Sequence, residues 1–273
     1  MTTQPSTAKP VWDPAQYDRF ADERGRPFVD LTARIRTVDP RVVIDLGCGP
    51  GHLTATLAVR WPDAQVIGVD NDQAMLHVAN ALVGGGDAPV NLRFEHGDIG
   101  TWQPDTQVDV IVTNAALQWL PAHLALLPRL VDALAPGGAL ALQVPGNFDD
   151  AHHLAIRQVM ARPRWRAALS GLPERVLSSY PAVVYQAELA RLECDTDTWE
   201  TTYVHVLHGT DPVLEWVKGT ALRPVLTALG NERGADFCLE LGELLRSSFG
   251  THPWGTPFPF KRIFAVAHRP SGE

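Results

Sequence analysis

Residues 42–54 read VVIDLGCGPGHLT, and the fold turns on what this run can form. Val42, Val43 and Ile44 are β-branched and suit a strand, Gly47, Gly49 and Gly51 follow it closely, and His52 onward can open a helix. Strand, glycine turn and helix in that order begin many nucleotide-type pockets. No Lys-Ser or Lys-Thr follows the glycines, so the pattern is not a P-loop, and a carboxylate, Asp45, stands just before them.

Working outward, compact apolar runs alternate with helical stretches. Strands are expected at 41–46, 64–70, 91–98, 108–114 and 137–145, with helices over GHLTATLAVRW, DQAMLHVANALV and AHLALLPRLVDALAPGG, the last stopped by Pro-Gly-Gly. Such alternation predicts an α/β fold, a doubly wound, Rossmann-like parallel sheet covered on both faces. Before it, residues 1–40 carry helical periodicity through Phe28, Leu31 and Ile35, and Trp12 and Tyr17 could close over a ligand or staple this segment. After Pro145 the rhythm changes: 146–198 and 208–258 read as helical insertions, separated by a β-rich run at 198–207 and followed by a last strand at 261–269. The expected organisation is one domain, 1–273, with its cofactor core at 41–145 and the two insertions as caps.

Composition narrows the classes of function. The chain has 273 residues, 45% hydrophobic and 20% charged, with a formal net charge of −8 and no basic block, so neither a nucleic-acid partner nor a membrane one is expected. No apolar run approaches the roughly 20 residues of a membrane span, and the expected location is the cytoplasm. Three scattered cysteines at 48, 194 and 238 fit neither a disulfide framework nor a zinc pattern, and the pair His152–His153 should point to different sides of a helix, so no metal is expected.

The carboxylates specify the ligand. A pyrophosphate cofactor brings two negative charges to such a turn, which Asp45 would oppose; a ligand with an α-amino group and an adjacent sulfonium fits better. The turn residues Gly47, Cys48, Gly49 and Gly51 would let backbone approach that ligand, since a Cβ would fill its volume. Asp70 ends the second strand, where a carboxylate can accept both hydroxyls of a ribose. Asp98, after the third strand, could read an adenine edge while Ile99 covers its face. A helix cap or turn is the plainer role for each acid alone. Three acids at the carboxyl ends of successive parallel strands, however, converge on the crevice where open α/β sheets bind ligands. The spacing G-x-G-x-G, rather than G-x-G-x-x-G, also disfavours a nicotinamide dinucleotide.

The stretches VVIDLGCGPG, VIGVD, GDI and NAALQWL resemble the motifs of class I S-adenosylmethionine-dependent methyltransferases over roughly 40–145. WDPAQYDRFADERGRP, NAALQWLPAHLALLPRL, TTYVHVL, EWVKGTALRP and KRIFAVAHR resemble trans-aconitate methyltransferases along nearly the whole chain. The resemblance implies a seven-stranded methyltransferase sheet, S-adenosylmethionine as cofactor, and methyl esterification of a small tricarboxylate; another small acid or a carrier-bound acyl group is the alternative acceptor. It adds Asn71, Asn114 and Ala115 to the cofactor set. In the family-like stretches Arg26, Arg223 and Arg262 are candidates to hold the anionic acceptor, arginine being suited by its planar fork, with Gln118, Trp119, Tyr203 and His205 as further donors or walls. Arg223 precedes Pro224 and is expected in a bend rather than a helix. A carboxylate acceptor is ionised at neutral pH, so no catalytic base is expected and the residues act by placement.

Overall fold

The computed structural model describes residues 21–85, 88–120, 122–170, 172 and 179–271; Trp12 and Tyr17 lie outside them. Two compact units are distinguished. The sheet unit runs up to Gly146, resumes through Thr201, and resumes again from Lys261; the second unit takes up the chain at Asn147 and again over Thr202–Phe260.

Seven strands form one sheet in the order β3-β2-β1-β4-β5-β7-β6. Their spans are β1 Val42–Leu46, β2 Gln65–Asp70, β3 Leu92–His96, β4 Val108–Asn114, β5 Leu134–Pro145, β6 Asp195–Leu207 and β7 Thr256–His268. Pairing is parallel from β3 across to β5, and β7 runs antiparallel to β5. Because β2 and β3 build outward on one side of β1 and β4 starts on the other, the switch of direction falls between β1 and β4. At such a switch the loops diverge and leave a crevice beyond the carboxyl ends. The expected Rossmann-like α/β class is the observed one.

Helices α1 Ala21–Thr32, α2 His52–Arg60, α3 Gln73–Gly84, α4 Leu127–Asp132 and α7 Ala182–Ala190 belong to the sheet unit. Phe28, Leu31 and Ile35 are buried, as their spacing predicts. Asp72 caps α3, its carboxylate accepting from Ala74 N at 2.8 Å and Met75 N at 3.3 Å. One apolar face of the sheet, with Ile44, Ile111, Leu140, Leu142 and Ile263, packs in a core with Leu127, Leu130, Tyr185 and Leu189. Alternation along the strands therefore sends Asp45, Asn114 and Gln143 to the opposite face.

Several boundaries differ from expectation. AHLALLPRLVDALAPGG does not form one helix: Pro128 sits in the first turn of α4, where its missing N–H costs nothing, and a separate 3₁₀ turn covers His123–Leu126. The Pro-Gly-Gly sequence lies inside β5, where the register with β4 shifts between Val108 and Val110. Strand β7 begins five residues early because Phe258 and Phe260 alternate inward between Pro257 and Pro259.

The second unit contains α5 Ala151–Met160, α6 Pro163–Arg166, α8 Pro212–Lys218 and α9 Arg223–Ser248, the last broken at Gly230 by a φ of 71°. Its interior is aromatic: Trp165 packs edge-on to Phe237 at 5.3 Å, and Trp216 lies 5.6 Å from Phe258. Glu240 accepts from Trp165 Nε1 at 3.0 Å and from Arg162 Nη1 at 2.6 Å. His152 is buried and His153 half-buried, and their rings lie 4.5 Å apart. Burial holds His152 down to about 3 and His153 to about 4, so both are neutral at physiological pH. No helix among the described residues is long and apolar enough to cross a membrane.

Candidate functional site at the carboxyl end of the sheet

The glycine turn begins where β1 ends. Gly47 N and Cys48 N both donate to Val69 O, at 2.7 and 3.1 Å, which bends the chain over the end of β2. Gly47, Gly49 and Gly51 all have φ in the left-handed region, at 80°, 56° and 84°, so glycine is required by conformation alone. Their surroundings differ. A Cβ on Gly47 would come 2.4 Å from Ala116 Cβ, and one on Gly51 would come 2.4 Å from Phe94 Cζ, whereas one on Gly49 would meet nothing within 4 Å. Only Gly49 faces open space; the other two make room for protein rather than for a ligand.

Asp70 closes this turn from β2. Its Oδ2 accepts from Gly49 N at 2.8 Å and its Oδ1 from Asp72 N at 2.9 Å. A carboxylate has about four lone-pair positions, so capacity remains for a ligand's hydroxyls. Burial, the largest influence, raises the Asp70 carboxyl above its ordinary range while these N–H donors oppose it. Asn71 is exposed beside it.

Asp45 is placed differently from a ligand-facing acid. It is 2% exposed, and its Oδ2 accepts from Thr54 Oγ1 of α2 at 2.7 Å. Burial pushes its carboxyl up to about 7, against the Thr54 hydrogen bond and with a smaller push from Asp70. The turn therefore rests on a group that gains or loses its charge near neutral pH. Cys48 is buried beside it, and burial pushes its thiol upward, away from nucleophilic use.

Beyond β3, Gly97 N donates to Asp70 O at 3.0 Å. Asp98 Oδ1 accepts from Gly100 N at 2.7 Å, the turn-forming role weighed for it from sequence. Ile99 reaches the glycine turn, its Cδ1 lying 3.2 Å from where a Gly47 Cβ would be. After β4, Ala115 takes a φ of 53°, uncommon for a residue with a Cβ. It is held from both sides: Ala115 N donates to Gln143 O at 2.9 Å, and Gln118 Nε2 donates to Ala115 O at 2.6 Å. Such a conformation persists where surrounding contacts over-determine it, as at many ligand sites. Asn114 Oδ1 and Gln118 Oε1 are buried and accept no hydrogen bond from the described residues.

The acceptor candidates divide between the units. In the sheet unit, Gln118 is buried and Trp119 half-buried in the loop beside Ala115; Arg26 is exposed on α1; and Arg262 is 5% exposed on β7, paired in register with Pro145. In the second unit, Tyr203 and His205 share the buried face of β6, and His205 stacks on Trp216 at 5.0 Å. Arg223 is not in a bend: it opens α9, because Pro224 within a first helical turn leaves the preceding residue free to be helical. Two residues that matter to the site were not singled out from sequence. Thr54 gives no local signal, being one of two threonines in an ordinary helical run, but Gln143 does, as the lone polar residue in ALALQVP.

The model of the methyltransferase domain family matches residues 43–138. Among solved structures, the YcgJ protein of Bacillus subtilis is similar at 19% identity with a TM-score of 0.56, covering 90% of this chain and 100% of that one. Coclaurine N-methyltransferase, bound to N-methylheliamine and S-adenosylhomocysteine, gives 17% identity and a TM-score of 0.53, over 90% of this chain and 73% of that one. At these identities the likeness is one of fold. Sequence relatives go further. The trans-aconitate 2-methyltransferase of Streptomyces avermitilis is 47% identical over 96% of this chain and 98% of its own length. That of Streptomyces coelicolor is 48% identical over 98% and 90%, and that of Mycobacterium tuberculosis is 43% identical over 94% and 96%. With its sheet, its glycine turn and its full-length likeness in agreement, the chain belongs to the trans-aconitate 2-methyltransferase family of methyltransferases.

Proposed function

We propose that this protein methylates a carboxylate of trans-aconitate, using S-adenosylmethionine, to give the monomethyl ester. The observation that carries the cofactor half is the open space over Gly49, beside Asp70, at the same end of the sheet as Asn114, whose buried Oδ1 has no partner among the described residues. Asp70 has lone pairs left for a ribose diol, Asp98 and Ile99 stand ready beside an adenine, and Asn114 with the Ala115 backbone suits an ammonium group. The acceptor half rests on the relatives' names, at identities of 43–48% over nearly their whole length.

When bound, S-adenosylmethionine supplies a methyl on a sulfonium centre that departs as a neutral thioether. The chain's residues have a limited task, since a carboxylate with a pKa of roughly 4 is already ionised and needs no base. They hold, orient and exclude water, effects worth several kcal/mol when reacting atoms are kept near contact. In this reading Gln118 and Trp119 line the reaction side of the sheet unit, and Arg26, Arg262, Arg223, Tyr203 and His205 are the further candidates for the acceptor's carboxylates. The same reading assigns the enzyme to the cytoplasm, where its unbridged Cys48, Cys194 and Cys238 would stay reduced.

The test offers methyl-labelled S-adenosylmethionine with trans-aconitate, cis-aconitate, citrate and isocitrate. Base-labile label in an ester of trans-aconitate, above all other acids, is the expected result. Transfer to nitrogen or carbon, or no preference for trans-aconitate, would contradict it.

A further inference from the structure

Gln143 is a buried polar residue in an otherwise apolar strand. It is 1% exposed, in a strand whose neighbours Ala141, Leu142 and Val144 are fully buried, and its Nε2 has no hydrogen-bond partner among the described residues. Burying an amide without a partner is costly, so a position of this kind is kept for something that binds there. Its place is specific. Gln143 pairs in register with Asn114, two residues beyond Val112, which itself pairs with Asp45. With a side-chain period of two, Asp45, Asn114 and Gln143 share one face of the sheet. All lie toward the carboxyl ends, and Gln143 O holds Ala115 N while Ala115 O takes Gln118 Nε2. Unsatisfied atoms of Asn114, Gln118 and Gln143 thus belong to one hydrogen-bonded corner of the sheet unit.

We propose that Gln143 is a specificity-determining residue whose side-chain amide donates to a carboxylate of the methyl acceptor. This rests on the acceptor being a carboxylic acid, as proposed above. The assignment to acceptor rather than cofactor follows from strand order. The turn, Asp70 and Asp98 follow β1, β2 and β3, whereas β5 lies on the far side of β4 from all three. Gln143 thus stands one strand beyond Asn114, on the side away from the turn, Asp70 and Asp98. An uncharged N–H donor suits a carboxylate there without adding a fixed charge near a sulfonium.

The experiment compares wild type, Q143M and Q143E. Wild type is first assayed on the acid panel; its failure with every acid would sink the carboxylate reading itself. Given wild-type turnover, Q143M keeps the volume and removes the donor. It should raise KM for the acceptor by about ten- to a hundred-fold, the range for a hydrogen bond to a charged group, and leave S-adenosylhomocysteine affinity and thermal stability near wild type. Q143E, which places a like charge there, should weaken acceptor use further and relatively less as pH falls. Unchanged KM in Q143M, an equal loss of S-adenosylhomocysteine affinity, or a fall in stability with intact kinetics would each overturn the proposal. The last would mark Gln143 as a structural residue bonded to an internal water. If Q143M does not fold, the same comparison is read from Q143E and its pH dependence.

Discussion

The two ends of the parallel sheet are built from the same strands and differ in what they leave unfinished. At the amino end, Asp109 Oδ2 accepts from Arg41 N at 2.7 Å and Val42 N at 2.9 Å, tying down the start of β1. Arg269 Nη1 donates to Asp132 O at 3.1 Å, and Gly137 N donates to Arg269 O at 3.0 Å. These polar groups are matched to one another. At the carboxyl end, burial pushes the Asp45 carboxyl up to about 7, Ala115 sits in the left-handed region, and polar atoms of Asn114, Gln118 and Gln143 are buried without partners among the described residues. The named carboxylate, guanidinium and amides are satisfied at one end, three side-chain amides are held open at the other, and the open end is where a ligand completes them.

The sharpest way to probe the contrast is inside the turn itself. Gly51→Ala adds a Cβ 2.4 Å from Phe94 Cζ at a φ of 84°, and strain plus overpacking should cost about 2–5 kcal/mol in denaturant unfolding. Gly49→Ala carries only the conformational cost, about 1–2 kcal/mol, and should instead lower S-adenosylhomocysteine affinity. Equal effects of the two would erase the distinction between a glycine for packing and a glycine for a ligand.

Asp45 gives the next effect. Its carboxyl holds a proton in the folded state up to about 7, while the unfolded chain releases it near 4, so the native state binds more protons in between. The Asp45 contribution to stability should therefore fall as pH rises from about 4 to 7, by on the order of 3 kcal/mol, against the opposite contribution of His152 and His153, whose lowered values make the native state bind fewer protons over much of the same window. Asp45→Asn should remove that contribution, so that its melting temperature gains on wild type as pH rises and exceeds it at pH 8. An identical pH dependence of the melting temperature in wild type and Asp45→Asn would refute the burial of a protonated acid. Asp70→Ala comes next, with about a ten- to hundred-fold loss of S-adenosylhomocysteine affinity by calorimetry from lost charge-assisted hydrogen bonds. Smallest is Asp109→Ala at the other end, expected to cost about 1–2 kcal/mol of stability through the Arg41 and Val42 amides and to leave that affinity unchanged. A loss of binding from Asp109→Ala equal to that from Asp70→Ala would break the comparison.

Much of this end was legible beforehand, for physical reasons. The β-branched run at 42–44, the three glycines and Asp70 announce themselves because turn geometry and strand period depend on local residue type. Side-chain partners across the fold do not announce themselves: Thr54 donating to one oxygen of Asp45, or Phe94 filling the space beside Gly51, requires knowing which helix and strand lie together. Arg223 shows a local rule giving way, since a proline discourages helix in the residue before it except where the helix is just beginning. The early start of β7 was hidden by Pro257 and Pro259, which read as punctuation although Phe258 and Phe260 between them keep the alternation. Gln143 was visible as a polar residue in an apolar strand, and only the register with Asn114 gives it a place.

The most direct measurement is a calorimetric titration of the wild-type protein with S-adenosylhomocysteine and, separately, with NADH. Saturable one-to-one binding of S-adenosylhomocysteine, lost in Asp70→Ala and kept in Asp109→Ala, with no binding of NADH, is the expected result. Binding of NADH in its place, or S-adenosylhomocysteine binding indifferent to Asp70, would contradict the assignment of the open end of the sheet to an adenosyl sulfonium ligand.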